Sequence, residues 1–344
     1  MAKMYSEFKT HPTITYSHTV GFLANQGRGF NNPVDVCLDN DGLLYVLNRA
    51  GPEVGIRLPY KRVTVCTKAG DYIEEFGTGG TAPGEFWWPS SITMSPEGTI
   101  FISDEALNRI TMFTHGGKFL GHWGESGSEL GCLNRPSYIA FDEDGALCVS
   151  DSLNHRVQRF SQDGKFINSW GHSEGGATEM NMPWGIHSDK SGLYVCDWRN
   201  DRITRWDVRG KDPLVLPLEN LQLSRPAHLT ITDTGELVIA DWGNDRVVVA
   251  SLSGMLLQIL VGESEESNWA SEYFAANADE RDQRSIANLH PLLSDRQLDR
   301  GEPSANTESL FWGPTSIQKD GKGSLYVVDS CRHRIQIYDQ SELA

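Results

Sequence analysis

The chain has 344 residues, of which 39% are hydrophobic, and 46 acidic against 30 basic side chains give a net charge of −16. That balance speaks against nucleic acid as a partner, because phosphates call for basic patches. No run of eighteen apolar residues occurs, so no membrane span is expected, and the opening MAKMYSEFKTHPTITYSH lacks the apolar stretch of a secretory leader. Six cysteines without a C-x-x-C pair, four of them inside apolar runs, are expected to be reduced core residues of a cytoplasmic protein.

In chain order, residues 1–13 read as a tail. Ile14–Ala24 followed by the glycine-rich Gly27–Pro33 reads as the last strand of a repeat with its exit loop. A phrase of four short strands, a to d, then recurs. It opens at Pro33, Pro89, Pro136, Pro183, Pro226 and Pro314, and strand b ends about fifteen residues later at Asn48, Asp104, Asp151, Asp197, Asp241 and Asp329. Five residues beyond each aspartate stands Arg109, Arg156, Arg202, Arg246 or Arg334. The runs alternate apolar and polar residues between Asp/Gly turns, as antiparallel strands do. One small sheet cannot bury its own faces, so six copies predict an all-β, six-bladed β-propeller over residues 14–344. The last copy stops after strand c, so the N-terminal strand is expected to close blade six and remove the free edge.

Two stretches break the pattern. After Asn48 the first repeat runs to Arg62 through a loop enlarged by about ten residues. Between blades five and six lies an acidic insertion, 262–308. It is expected to be helical over Asn268–Ser285, broken near Pro291, with Ser294-Asp295 capping a second short helix. It is read either as a lid over the channel mouth or as an arm for a protein partner.

D-x-x-N-x-R-[IV] at Asp151–Val157, Asp197–Ile203 and Asp241–Val247, followed in the third repeat by DGKF and WG, resembles the NHL repeat. The enlarged loop with Asn48-Arg49-Ala50 is distantly similar to a turn of the peptidyl-α-hydroxyglycine lyase type of NHL enzyme. That resemblance implies a catalytic role for Arg49. The positions of that family's zinc-binding histidines hold Ser90, Trp184 and Thr315 here, so its metal is not expected.

In a propeller the d-to-a and b-to-c connections share one face. That face collects the enlarged loop, the tryptophans beside the opening prolines, His122, His172 and the insertion with His290, and is the expected ligand face. Asp35, Tyr138, Trp184 and His228, just after opening prolines, are placed at its channel. The expectation is an enzyme, a lyase or hydrolase acting by acid–base chemistry on a small polar molecule that carries a carboxylate. Arg49 holds the anion, His228 and Asp35 move protons, and Tyr138 donates to a leaving oxygen. Trp184, Trp88, Trp242 and His290 form the substrate walls. The alternatives are a non-catalytic scaffold and, for the Asp/Arg series, a divalent cation in place of structural pairing.

Overall fold

The structure is a computed structural model that describes residues 14–50, 60–171, 178–207, 209–291 and 302–340. The tail 1–13, most of the enlarged loop (51–59), His172 and Ser294-Asp295 lie outside those residues. Six four-stranded antiparallel sheets follow one another, and Ile14–Val20 pairs with Arg334–Gln340 to complete the sixth. The expected closure is therefore present.

The innermost strands are Pro33–Leu38, Pro89–Met94, Pro136–Phe141, Pro183–Asp189, Pro226–Ile231 and Pro314–Lys319. Alternation along the strands turns apolar side chains into the seams between blades. Six buried clusters result, each shared by two neighbouring blades. The cluster at the closing seam joins Val328, Ile335 and Ile337 of blade six to Val36, Leu44 and Val46 of blade one. A fully buried leucine or valine contributes roughly 1.5–3 kcal/mol, so the seams hold the disc together.

The Asp/Arg series is structural. In blade three Asp151 accepts the Asn134 N–H at 2.6 Å and pairs with Arg156 Nε at 2.8 Å, and Arg156 also reaches the Glu129 and Cys132 carbonyls. Asp197, Asp241 and Asp329 pair with their arginines in the same way, whereas in blade two Asp104 accepts backbone N–H groups, among them those of Trp87 and Trp88, and Arg109 donates to the Ala82 and Glu85 carbonyls instead. Each carboxylate is thus committed within its own blade, and among the described residues no three His, Cys, Asp or Glu side chains cluster for a metal. Blade one keeps the device with different charges. Asn48 accepts the Asn31 N–H, and the arginine sits at Arg62, displaced by the enlarged loop and paired with Glu75 instead.

The insertion forms two helices rather than one, α1 (Asn268–Ala276) and α2 (Ala278–Ile286), with Asn277 at non-helical angles between them; α3 (Glu302–Asn306) follows. Trp269 is buried in the cluster between blades six and one, edge-on to Phe30, while Tyr273 and Phe274 pack on Phe22. The apolar side chains of α1 are thus spent on the cluster between blades six and one and on Phe22 in the connection that enters blade one. The α2 residue Arg284 pairs with Glu308, and the Ser304 and Ala305 carbonyls of α3 accept from Arg332. All six cysteines are free, and no described helix is long and apolar enough to cross a membrane.

Candidate functional site

Asp35, Tyr138 and His228 do meet, two residues after their prolines, in one layer across the channel. Asp35 is wholly buried and accepts five hydrogen bonds: from Ser316 Oγ (2.6 Å), Ser91 Oγ (2.7 Å), Val36 N and Ile92 N (both 2.9 Å), and Tyr138 Oη (3.1 Å). Tyr138 stacks on His228 with ring centres 4.3 Å apart, and Gln318 Nε2 donates to its hydroxyl. His228 Nδ1 accepts the Ile317 N–H, which leaves the Nε2 proton for the Ile186 carbonyl. Burial lowers the His228 pKa to about 3 and lifts Asp35 above the ordinary carboxylate value. Blade four contributes Gly185 to this layer, because a Cβ there would fall 2.3 Å from the Ala227 carbonyl and 2.6 Å from His228 Cα.

The sequence reading gave these three residues no packing reason to stand there; the structure supplies one. They form a polar plug linking all six blades, with every ring nitrogen and carboxylate oxygen committed. Below it a cavity of about 300 Å³ opens toward the short turns, lined by Thr93, Phe141, His187 and Lys319 among others. Burial also holds His187 neutral, with a pKa lowered to about 4.

The mouth face lies above the plug. At five seams a residue with left-handed backbone clasps the next blade. Asn108 Oδ1 accepts Arg135 N, His155 Nδ1 accepts Met182 N, Asp201 Oδ1 accepts Arg225 N, Asp245 Oδ1 accepts Gly313 N, and His333 Nδ1 accepts Asn32 N. All five clasp residues have φ between 49° and 55°. At the seam of blades one and two the equivalent residue is Lys61, which has no acceptor to offer, and the Trp88 N–H turns back to Asp104.

What replaces the clasp is a group of cations around an indole. The Arg49 guanidinium lies 4.8 Å from the Trp88 ring centre and Lys61 Nζ lies 5.2 Å from it. Arg49 also donates to the Pro89 carbonyl and to Glu105, which Arg135 approaches from its other side at 3.3 Å. Lys61 Nζ has a carbonyl partner, Arg49 O at 3.0 Å, and among the described residues no carboxylate within ion-pairing distance. Burial, then the neighbouring Arg49, push its pKa below the usual lysine value.

Across the mouth, Trp184, Trp198 and Trp242 follow one another with ring centres 5.8 and 6.1 Å apart. Trp198 and Trp242 immediately follow the aspartates that end strand b, as Arg49 follows Asn48, so all three belong to one ring of equivalent positions. Sequence reasoning placed Arg49, Trp88, Trp184 and Trp242 on this face. It missed Lys61, Glu105, Trp198 and Arg225. Lys61 was legible in principle as the residue before the displaced arginine. His290 is exposed, with its backbone N–H on Asn288, and joins neither group. His122 lies in a strand, opposite Thr111, rather than in a loop.

The architecture is that of a six-bladed β-propeller, and the NHL repeat model matches residues 133–160, the core of the clearest repeat. No curated protein matches by sequence. Among solved structures, a streptogramin B lyase is similar with a TM-score of 0.55 at 14% identity, over 98% of this chain and 100% of that one. A catalytically inactive histidine-to-alanine variant of virginiamycin B lyase from Staphylococcus aureus, solved with quinupristin, gives a TM-score of 0.54 at 15% identity, over 95% and 99% of the two chains. The selenomethionine form of that lyase gives 0.55 at 14%, with the same coverage. At such identities the likeness establishes the fold. The distant similarity to the peptidyl-α-hydroxyglycine lyase type gains no support from these matches.

Proposed function

We propose that the protein is a propeller enzyme of lyase type that takes a small carboxylate- or carbonyl-bearing molecule at the mouth face, over the seam of blades one and two. One observation carries the reading: the clasp found at the five other seams is given up here for Lys61, Arg49 and Trp88. Burial and a neighbouring cation both lower an amine's pKa and so favour its neutral, basic form. In an elimination, Lys61 Nζ takes the proton from the carbon next to the carbonyl. The C–H electron pair becomes the new double bond, and the leaving group departs with its own bonding pair. Arg49, held in place by Glu105, carries the charge that builds on the carbonyl oxygen. Trp88 forms the wall. His228 is not assigned a proton-transfer role, because both its nitrogens are committed, to the Ile317 N–H and the Ile186 carbonyl.

Quinupristin, the compound present with a structural neighbour, and a set of β-substituted carboxylic acids are the first probes. A lyase product keeps the total mass, whereas a hydrolase adds one water, and mass spectrometry separates the two. Lys61→Met and Arg49→Met are each expected to lower turnover about a hundredfold or more, with little change in melting temperature. Turnover that survives Lys61→Met, or a product heavier by water, overturns the mechanism. Conversion of no probe favours the scaffold reading. That reading has one observation of its own, the exposed Met255, Leu256, Ile259 and Val261 on and beside the outer strand of blade five.

A further inference from the structure

We infer that blades four and five carry a stacking subsite for a planar ring that bears negative charge. The inference rests on the mouth face being the ligand face, and not on turnover there. Arg225 precedes the opening proline of blade five, and its side chain is exposed. Its guanidinium lies 5.1 Å from the Trp198 ring centre and 6.0 Å from that of Trp242. Its backbone is fixed by the clasp to Asp201, at 2.6 Å, so the side chain projects from a rigid base.

The guanidinium has no carboxylate within ion-pairing distance among the described residues, in a protein with a net charge of −16. Arg28, exposed as well, pairs with Glu272. Arg225 rests on two indoles instead. Trp184, Trp198 and Trp242 are half-buried, so part of each indole in the series stays open to water, which solvates such faces poorly. A ring laid on the indoles recovers stacking contact, and an anionic substituent beside it meets the five donors of an unpaired guanidinium. Neither half suffices alone. An uncharged ring leaves the arginine unpaired, and a charged aliphatic leaves the indoles wet. The class of ligand is therefore an aryl or heteroaryl carboxylate, or a larger molecule displaying one.

Calorimetric titration with three probes tests this: indole-3-acetate, the uncharged indole-3-acetamide, and cyclohexylacetate, which keeps the charge without the flat ring. Indole-3-acetate is expected to bind about tenfold more tightly than either of the others. Arg225→Gln should abolish the preference over the amide and keep the preference over the saturated acid. Trp242→Leu should do the reverse. Arg225 lies on the surface, so its replacement leaves the fold intact, and circular dichroism of both variants checks this. Equal affinity for the three probes, no binding at millimolar concentration, or a preference untouched by either variant overturns the subsite. Because no step needs catalysis, failure of turnover at Lys61 and failure of this site are separate results.

Discussion

The plug around Asp35 and the seam beside Trp88 are both polar and both withdrawn from water, yet they are opposites. In the plug every donor has found an acceptor: five donors converge on one carboxylate, and the imidazole is fixed in a single tautomer. At the seam a repeated hydrogen bond has been given up, and a lysine has been brought beside an arginine with one glutamate to balance them and a second arginine. A satisfied buried network specifies structure, whereas charge left without a partner is what a ligand completes. Residue type alone does not separate the two. Asp, Tyr and His look more catalytic than Lys and Trp, and here the geometry reverses that impression.

The largest expected effect comes from breaking the plug. Asp35→Ala leaves two backbone N–H groups and three hydroxyls facing one another in the dark, and should cost about 4 kcal/mol or more. Arg49→Ala leaves Glu105 its second arginine, and should cost about 1 kcal/mol. Urea denaturation of the two variants measures the contrast. A cost below about 1 kcal/mol for Asp35→Ala would return that residue to the catalytic candidates.

The next effect is smaller and depends on pH. His228 has a folded pKa of about 3 against an ordinary 6.5. Between those values the unfolded chain binds a proton that the folded chain refuses. The stability present above 6.5 is therefore lost as pH falls toward about 3, by up to about 1.4 kcal/mol per pH unit. His187, with its pKa near 4, acts in the same sense. Asp35, raised by burial, acts oppositely, but only where the carboxyl itself takes up a proton. His228→Gln should flatten the acid limb of a stability–pH curve even if it lowers the whole curve. An unchanged slope between pH 6.5 and about 4 would mean that the imidazole is not held neutral by the plug.

What the sequence disclosed follows from periodicity. Proline, Asp/Gly turns and the aspartate–arginine spacing repeat because each blade must solve the same packing problem, so blade number, closure and the four buried cysteines were readable. The same regularity concealed the site. Arg62 appeared missing because the loop before it is long, and with it Lys61 lost its place in the alignment of repeats. The meeting of Asp35, Tyr138 and His228 was legible from their equivalent positions. That they satisfy one another was not, because hydrogen-bond direction lies in coordinates. The insertion misled for a related reason. A helical aromatic stripe announces burial but not against what: the expected helix runs on past Asn277, where the observed one breaks, and Trp269 packs in the cluster between blades six and one.

The smallest change in stability should accompany the sharpest change in behaviour. Lys61→Asn places at the odd seam the residue type that serves at the next one, Asn108, and asparagine adopts the left-handed backbone of the clasp, which Lys61 does not have, more readily than lysine. The variant removes a buried cation and offers Trp88 N–H a second acceptor, so stability should hold or rise by about 0.5 kcal/mol. Turnover should vanish, because the amine is gone and the indole is clasped. Such a gain against such a loss is expected where a site has been built by forgoing a structural contact. Thermal melting and a turnover assay on the same preparation decide it. If Lys61→Asn melts several degrees lower and still converts substrate, the lysine is a structural variant of the clasp, and the seam is no different in kind from the plug.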